Sequence, residues 1–310
     1  MVAEGEDRAA AFRDTVAATL SYWRERTHDL DDQNIIDLDQ ERHNLFRAVQ
    51  FGLRLPQVWE TTADIALQAI PLVNRRMYRL EWLPVLQQLL TQAPAGQDDL
   101  RVKLLIQIGR LQRLERQLDS AIEAHLLAQQ LSTEFDDAQI AAQVAYNLAR
   151  DYLDKRDYAL AERYCQKTLT YLEKTDHQKL KAQTFITLGH ICRNKGEFEQ
   201  AIAYHSQAMT IERVVGDPTH LARSMIELAT DFRANRRPEE AIHYYEEALA
   251  VLANTANELD KTLINLNLGG AYFELEDWSA AEKALRKDPA MLHRHLPVAM
   301  PARGDFFRAA

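Results

Sequence analysis

Cysteine is nearly missing: Cys165 and Cys192 are the only two in 310 residues. That is too few for a disulfide framework or a thiolate zinc site. Proline and glycine are sparse too, at nine and ten, and no proline falls between Pro94 and Pro218, so nothing there forces a long helix to break. No apolar run approaches the roughly 18–20 residues that a bilayer-crossing helix needs. The opening "MVAEGEDRAA" carries acidic residues and no apolar segment of the secretory kind, so the cytoplasm is the expected compartment and no membrane is expected as a partner. The first 100 residues hold no lysine, 10 arginines and 16 acidic residues, and the whole chain has a formal charge of −9. A sequence-independent nucleic-acid binder needs a broad basic surface to displace counterions, and direct nucleic-acid binding is set aside. There is also no G-x-x-x-x-G-K-[ST] phosphate loop, and no nucleophile stands in a local signature of base and orienting group. No catalytic residue, cofactor or metal site is expected. His293 and His295, two apart near the end, cannot share a helical face.

What is present is a period. Ala121, Ala161, Ala201, Ala241 and Ala281 recur every 40 residues, and twelve residues before each stands a small residue: Gly109, Ala149, Gly189, Ala229 and Gly269. A large apolar residue precedes each of these (Ile108, Leu148, Leu188, Leu228, Leu268), and the position three before each alanine reads Leu118, Tyr158, Phe198, Pro238 and Trp278. Three after the small residue stand Gln112, Tyr152, Cys192, Phe232 and Tyr272, and the pattern breaks at Gln112 and Pro238. Each period therefore holds two amphipathic helices, with small residues where the pair must approach to roughly 8 Å. Gly196 falls between the two helices of its pair, where a residue without Cβ costs least.

Stretches such as "LGHICRNKGEFEQAIAYHSQA", "LATDFRANRRPEEAIHYYEEA" and "LGGAYFELEDWSAAEKAL" resemble the tetratricopeptide repeat, here with six residues more than the family's usual 34. The resemblance implies an all-α, right-handed α-solenoid. It covers residues 101–288 in five units, after a helical N-terminal region with a degenerate repeat over 1–100 and before an irregular tail or cap over 289–310. Within the first part, "DQERHNLFRAVQFGLRL" places Leu45, Ala48, Val49 and Gly52 on one helical face. Glu41, Asn44, Leu45 and Ala48, followed by Trp82 and Leu83, resemble the segment that joins nucleotide-binding module to repeat-built sensor in bacterial STAND ATPases of the NB-ARC type and related regulators. Without a phosphate loop, no ATPase activity comes with that resemblance.

Stacked hairpins of this family present their first helices to a concave wall. Relative to the small residue, the positions facing that wall read Gln107, Asn147, Glu227 and Asn267 two before; Arg110, Arg150 and His190 one after; and Arg113, Arg193, Arg233 and Phe273 four after, with Tyr146 beside them. For these five arginines and two asparagines the resemblance implies a hold on peptide backbone or carboxylates, and the arginine fork suits both. Equally, the arginines could be spent on Glu227, Asp154 and Asp231 as solvated faces. Exposed ion pairs contribute only about 0.2–1 kcal/mol, so a partner would also need apolar anchors such as Tyr146 and Phe273. Cys165, Cys192, His125 and His205 fall at packing positions and are expected in the core. The sequence predicts a non-enzymatic protein- or peptide-binding module, with a partner that bears acidic groups among the candidates. The alternative is the effector-sensing region of a STAND-type NTPase or regulator, paired with a nucleotide-binding module.

Overall fold

A residue of left-handed backbone recurs every 40 positions, at Arg116 (φ 62°), Arg156 (64°), Gly196 (81°), Arg236 (59°) and Glu276 (60°). Just after each, an amide reaches back five residues: Gln117 to Gln112, Asp157 to Tyr152, Glu197 to Cys192, Arg237 to Phe232 and Asp277 to Tyr272, all at 2.8–3.0 Å. This closure satisfies carbonyls that a helix end would leave open. It also fixes the length of the turn, so the next helix starts at the same count each time.

The computed structural model describes residues 2–28, 30, 32–133, 137–255 and 257–286, and all regular structure among them is helical. The tail from 287 onward, with His293 and His295, lies outside the described residues. The chain forms two compact units that divide between Thr175 and Asp176.

In the first unit, α1 (Val2–Thr27), α2 (Asp32–Gln40) and α3 (Arg42–Gly52) precede a short 3-10 turn (Pro56–Val58), then α4 (Trp59–Gln68), α5 (Ile70–Arg76) and α6 (Arg79–Thr91). The buried face of α3 is Leu45, Ala48, Val49 and Gly52. Pro71 sits in the first turn of α5, where its missing N–H costs nothing, whereas Pro84 lies inside α6. Trp59 Nε1 donates to Leu89 O at 2.9 Å, tying α4 to α6. Two hairpins follow: α7 (Asp98–Leu114) with α8 (Leu118–Ser132), and α9 (Ala138–Asp154) with α10 (Tyr158–Leu172). α8 packs on α9, and α6 on α7.

The second unit holds three hairpins: α11 (Gln178–Lys195) with α12 (Phe198–Val215), α13 (Pro218–Ala234) with α14 (Pro238–Val251), and α15 (Glu258–Glu274) with α16 (Trp278–Leu285). Pro238, where an aromatic is missing from the pattern, occupies the first helical position of α14 instead of interrupting a helix. Asp137, Asp157, Asp217 and Asp277 cap the helices that follow them by accepting from backbone amides, each contributing about 1 kcal/mol.

The five periodic alanines, Ala121 to Ala281, are all buried. The periodic glycines have specific reasons. A Cβ on Gly109 would lie 2.5 Å from the His125 ring, one on Gly189 2.4 Å from the His205 ring, and one on Gly269 2.6 Å from Leu285. In each case the side chain that fills the space stands sixteen residues later, on the second helix of the same hairpin.

Candidate functional site

The residues of interest fall into one set per unit, and the two sets share a plan. In the first unit His125, fully buried on α8, places Nδ1 2.5 Å from Asp151 Oδ2 on α9 and Nε2 3.2 Å from Ile106 O on α7. In the second, His205 on α12 meets Asp231 on α13 through Nδ1 and Ile186 O at 3.2 Å through Nε2. Each ring thus has a carboxylate oxygen at one nitrogen and a backbone carbonyl at the other. An arginine completes each set. Arg113 Nε lies 3.4 Å from Asp151 Oδ1, and Arg193 Nε pairs with Asp231. Histidine, aspartate, arginine and carbonyl thus recur at a spacing of 80 residues.

Around this frame the units differ. In the second, Glu227 Oε2 on α13 lies 3.0 Å from His190 Nε2 and 2.9 Å from Arg193 Nη2. Arg193 Nη2 also donates to Glu227 O at 2.9 Å. Burial works against the Glu227 carboxylate. The bond from His190 and the charges of His190 and Arg193 outweigh it and hold the group down at about 2. Arg233 Nε donates to Glu274 Oε1 at 2.7 Å and lies over Gly270, whose absent Cβ leaves the guanidinium its room. Asn267 is partly buried on α15, and Phe273 packs edge-on against Trp278 at 4.9 Å.

In the first unit, Arg113 Nη1 donates to Asp154 Oδ2 at 3.2 Å. Arg110 on α7 donates to Gln107 Oε1 at 3.2 Å, and Arg150 on α9 to Tyr146 Oη at 3.0 Å. Neither pairs with a carboxylate in a salt bridge among the described residues. Burial and the neighbouring charges of Arg113 and Arg150 push the Arg110 guanidinium below its ordinary value. Tyr146 and Asn147 are almost fully buried, and Asn147 Nδ2 donates to Gln143 O of its own helix at 2.9 Å.

The sequence-derived arginines therefore separate. Arg113, Arg193 and Arg233 are engaged with carboxylates of their own unit, while Arg110 and Arg150 rest on neutral side chains. What spacing alone left unread was Asp151 and its pairing with His125. The signal was available in the identity of Gly109 with Gly189, Arg113 with Arg193, His125 with His205 and Asp151 with Asp231 at 80 residues.

Other chemistry is sparse among the described residues. Cys165 and Cys192 are buried, and burial pushes the Cys165 thiol up to about 12, which keeps it out of its reactive form. His190, His205 and Glu227 bring ligating atoms within 4.8 Å of one another. Their capacity is spent, since Arg193 holds the same Glu227 oxygen and both His205 nitrogens have partners. No helix among the described residues is long and apolar enough to cross a membrane.

Residues 180–254 match the tetratricopeptide repeat family model. No curated protein matches the sequence. Among solved structures, BtubC (BKLC) from P. vanneervenii superposes with a TM-score of 0.54 at 18% identity, over 78% of this chain and 91% of that one. The Signal Transduction ATPase with Numerous Domains (STAND) protein with a tetratricopeptide repeat sensor from Pyrococcus horikoshii gives 0.61 at 18% identity, over 84% of this chain and 40% of the other. A Rap protein complexed with Competence and Sporulation Factor gives 0.61 at 10% identity, over 88% and 96%. Residues 180–254 are accordingly tetratricopeptide repeats, and the chain has the all-α solenoid fold of tetratricopeptide-repeat proteins.

Proposed function

We propose that the chain is a non-enzymatic module that binds a protein or peptide partner along the first helices of its hairpins. The observation that carries this reading is the use made of its reactive side chains. The buried histidines, aspartates and thiols are consumed in packing, while the polar positions left over lie on first helices, at Arg110 and Arg150 in the first unit. The likeness to a Rap protein complexed with Competence and Sporulation Factor, over 88% of this chain and 96% of that one, supports it. The sequence-derived set of Gln107, Arg110, Arg113, Tyr146, Asn147 and Arg150 in one unit, and His190, Arg193, Glu227, Arg233, Asn267 and Phe273 in the other, marks the faces to test.

The test is affinity capture on the immobilised chain, identification of what is held, and reconstitution from purified components. One partner bound in fixed stoichiometry without chemical change supports the module. A chain that holds nothing beyond what a charge-matched helical control holds, or that turns over a substrate alone, overturns it.

A second reading is an effector-sensing region working with a nucleotide-binding module, favoured by the match of 84% of this chain to 40% of a STAND protein with a repeat sensor. Reconstitution separates the two, since this reading requires the captured partner to contain a phosphate loop.

A further inference from the structure

In the first unit, α1 and α3 pack side by side and meet at both ends of a groove. At one end the rings of Phe12 and Phe51 stand edge to face, with centroids 6.1 Å apart. Near the other end Arg26 pairs with Glu41 and lies 5.6 Å from the centre of the Trp23 ring. Between these contacts is a cavity of about 270 Å³, floored by the buried Val16, Trp23 and Ala48.

The walls offer few polar groups. Thr15 Oγ1 donates to Ala11 O and Thr19 Oγ1 to Thr15 O, both at 2.8 Å. The two hydroxyls are therefore spent on their own helix, and their methyl groups are left for the groove. The one charged side chain in the lining is Arg47, one turn after Asn44 on α3. It is exposed and pairs with no carboxylate among the described residues, whereas Arg26 nearby is answered by Glu41.

Closure at both ends keeps a helix from lying through the groove, and the volume suits one compact guest. A cavity of about 150 Å³ holds a benzene ring, so this one has room for two fused rings. Phe12, Trp23 and Phe51 give it aromatic surface, and aromatic rings favour edge-to-face or offset contact with one another. Apolar walls with a few polar groups that fix orientation are the usual make-up of a small-molecule site. The single unpaired cation sets the sign of the guest, and its planar fork matches a carboxylate.

We infer that this groove binds a small aromatic carboxylate, with its rings between α1 and α3 and its carboxylate on Arg47. The site is separate from the first-helix faces of the hairpins, and either reading can fail without the other.

The experiment titrates the full chain by calorimetry with naphthalene-2-carboxylate and, separately, with its neutral amide. Wild type should bind the carboxylate at least tenfold more tightly than the amide. Arg47→Gln should weaken the carboxylate at least tenfold and leave the amide unchanged, which removes the difference between them. Thr19→Trp, which fills the groove from an exposed wall, should abolish binding of both. Arg223→Gln, whose arginine pairs with Asp260 in the other unit, should bind as wild type does, and circular dichroism should show equal helicity throughout. A wild type that binds neither probe at about 1 mM, or binds both equally, overturns the inference. So does undiminished carboxylate binding in Arg47→Gln or in a folded Thr19→Trp. If Thr19→Trp loses helicity, Arg47→Gln decides alone. A captured protein partner that Thr19→Trp releases, with neither probe bound by wild type, would give the groove to a partner's side chain and overturn the small-ligand reading.

Discussion

Gly189 and His205 are matched to each other: a methyl group on the glycine would come within 2.4 Å of the ring, and the ring is locked by Asp231 and by Ile186 O at 3.2 Å. The neighbour therefore cannot yield. Gly189→Ala should gain the helix propensity of alanine, up to about 1 kcal/mol, and lose more through overpacking, for a net destabilisation of about 1–3 kcal/mol. Urea unfolding would measure it, and a stabilised variant would show that the ring can move.

The opposite sign is expected at the turns. Arg156 holds φ at 64°, a conformation that costs a side-chain-bearing residue about 1–2 kcal/mol. Arg156→Gly removes that strain and gives back part of it as unfolded-chain entropy. A stabilisation of about 0.5 kcal/mol should appear as a higher denaturant midpoint with unchanged slope.

Removing His125 leaves Asp151 buried with Arg113 at 3.4 Å as its remaining cation. His125→Leu should therefore cost about 3–5 kcal/mol, as for other broken buried pairs. The double change His125→Leu with Asp151→Leu should cost less than the sum of the two single changes, which a double-mutant cycle reads directly.

Glu227 carries a pH signature. Its carboxyl is held at about 2, below its ordinary 4.5, so folding keeps it ionised longer than unfolding does. The stability it contributes is present above pH 4.5 and lost as pH falls towards 2. Glu227→Gln should destabilise at pH 7 by about 1–3 kcal/mol, with the difference from wild type shrinking through that window. A gap that stays constant with pH would show that packing, not charge, is what the variant loses.

Much of the fold was legible because hairpins repeat: one small residue and one alanine per forty positions fix where two helices cross. The capping arginines were not, since Arg116, Arg156 and Arg236 adopt a left-handed turn that no local preference of arginine announces. The earlier helices were legible only in part. Leu45 and its neighbours keep a helical rhythm, but contacts such as Trp59 to Leu89 join residues with no shared period. At the candidate site, spacing put the arginines on equivalent positions and could not say which already had an acid. That depended on residues of the following hairpin, Asp151 and Asp231, seen only when two helices are brought together.

Since His125 answers to Asp151 and His205 to Asp231, while the hairpins that follow them carry Cys165 and Tyr245 at the corresponding place and the last carries Leu285, the first four hairpins are two doublets of unlike modules. Inserting a single module inside either doublet, or deleting the second module of one, would set a histidine against a neighbour with no acid to meet it. Among the first four hairpins, gain or loss of a whole pair keeps every buried ring supplied, so the unit of growth there is the doublet.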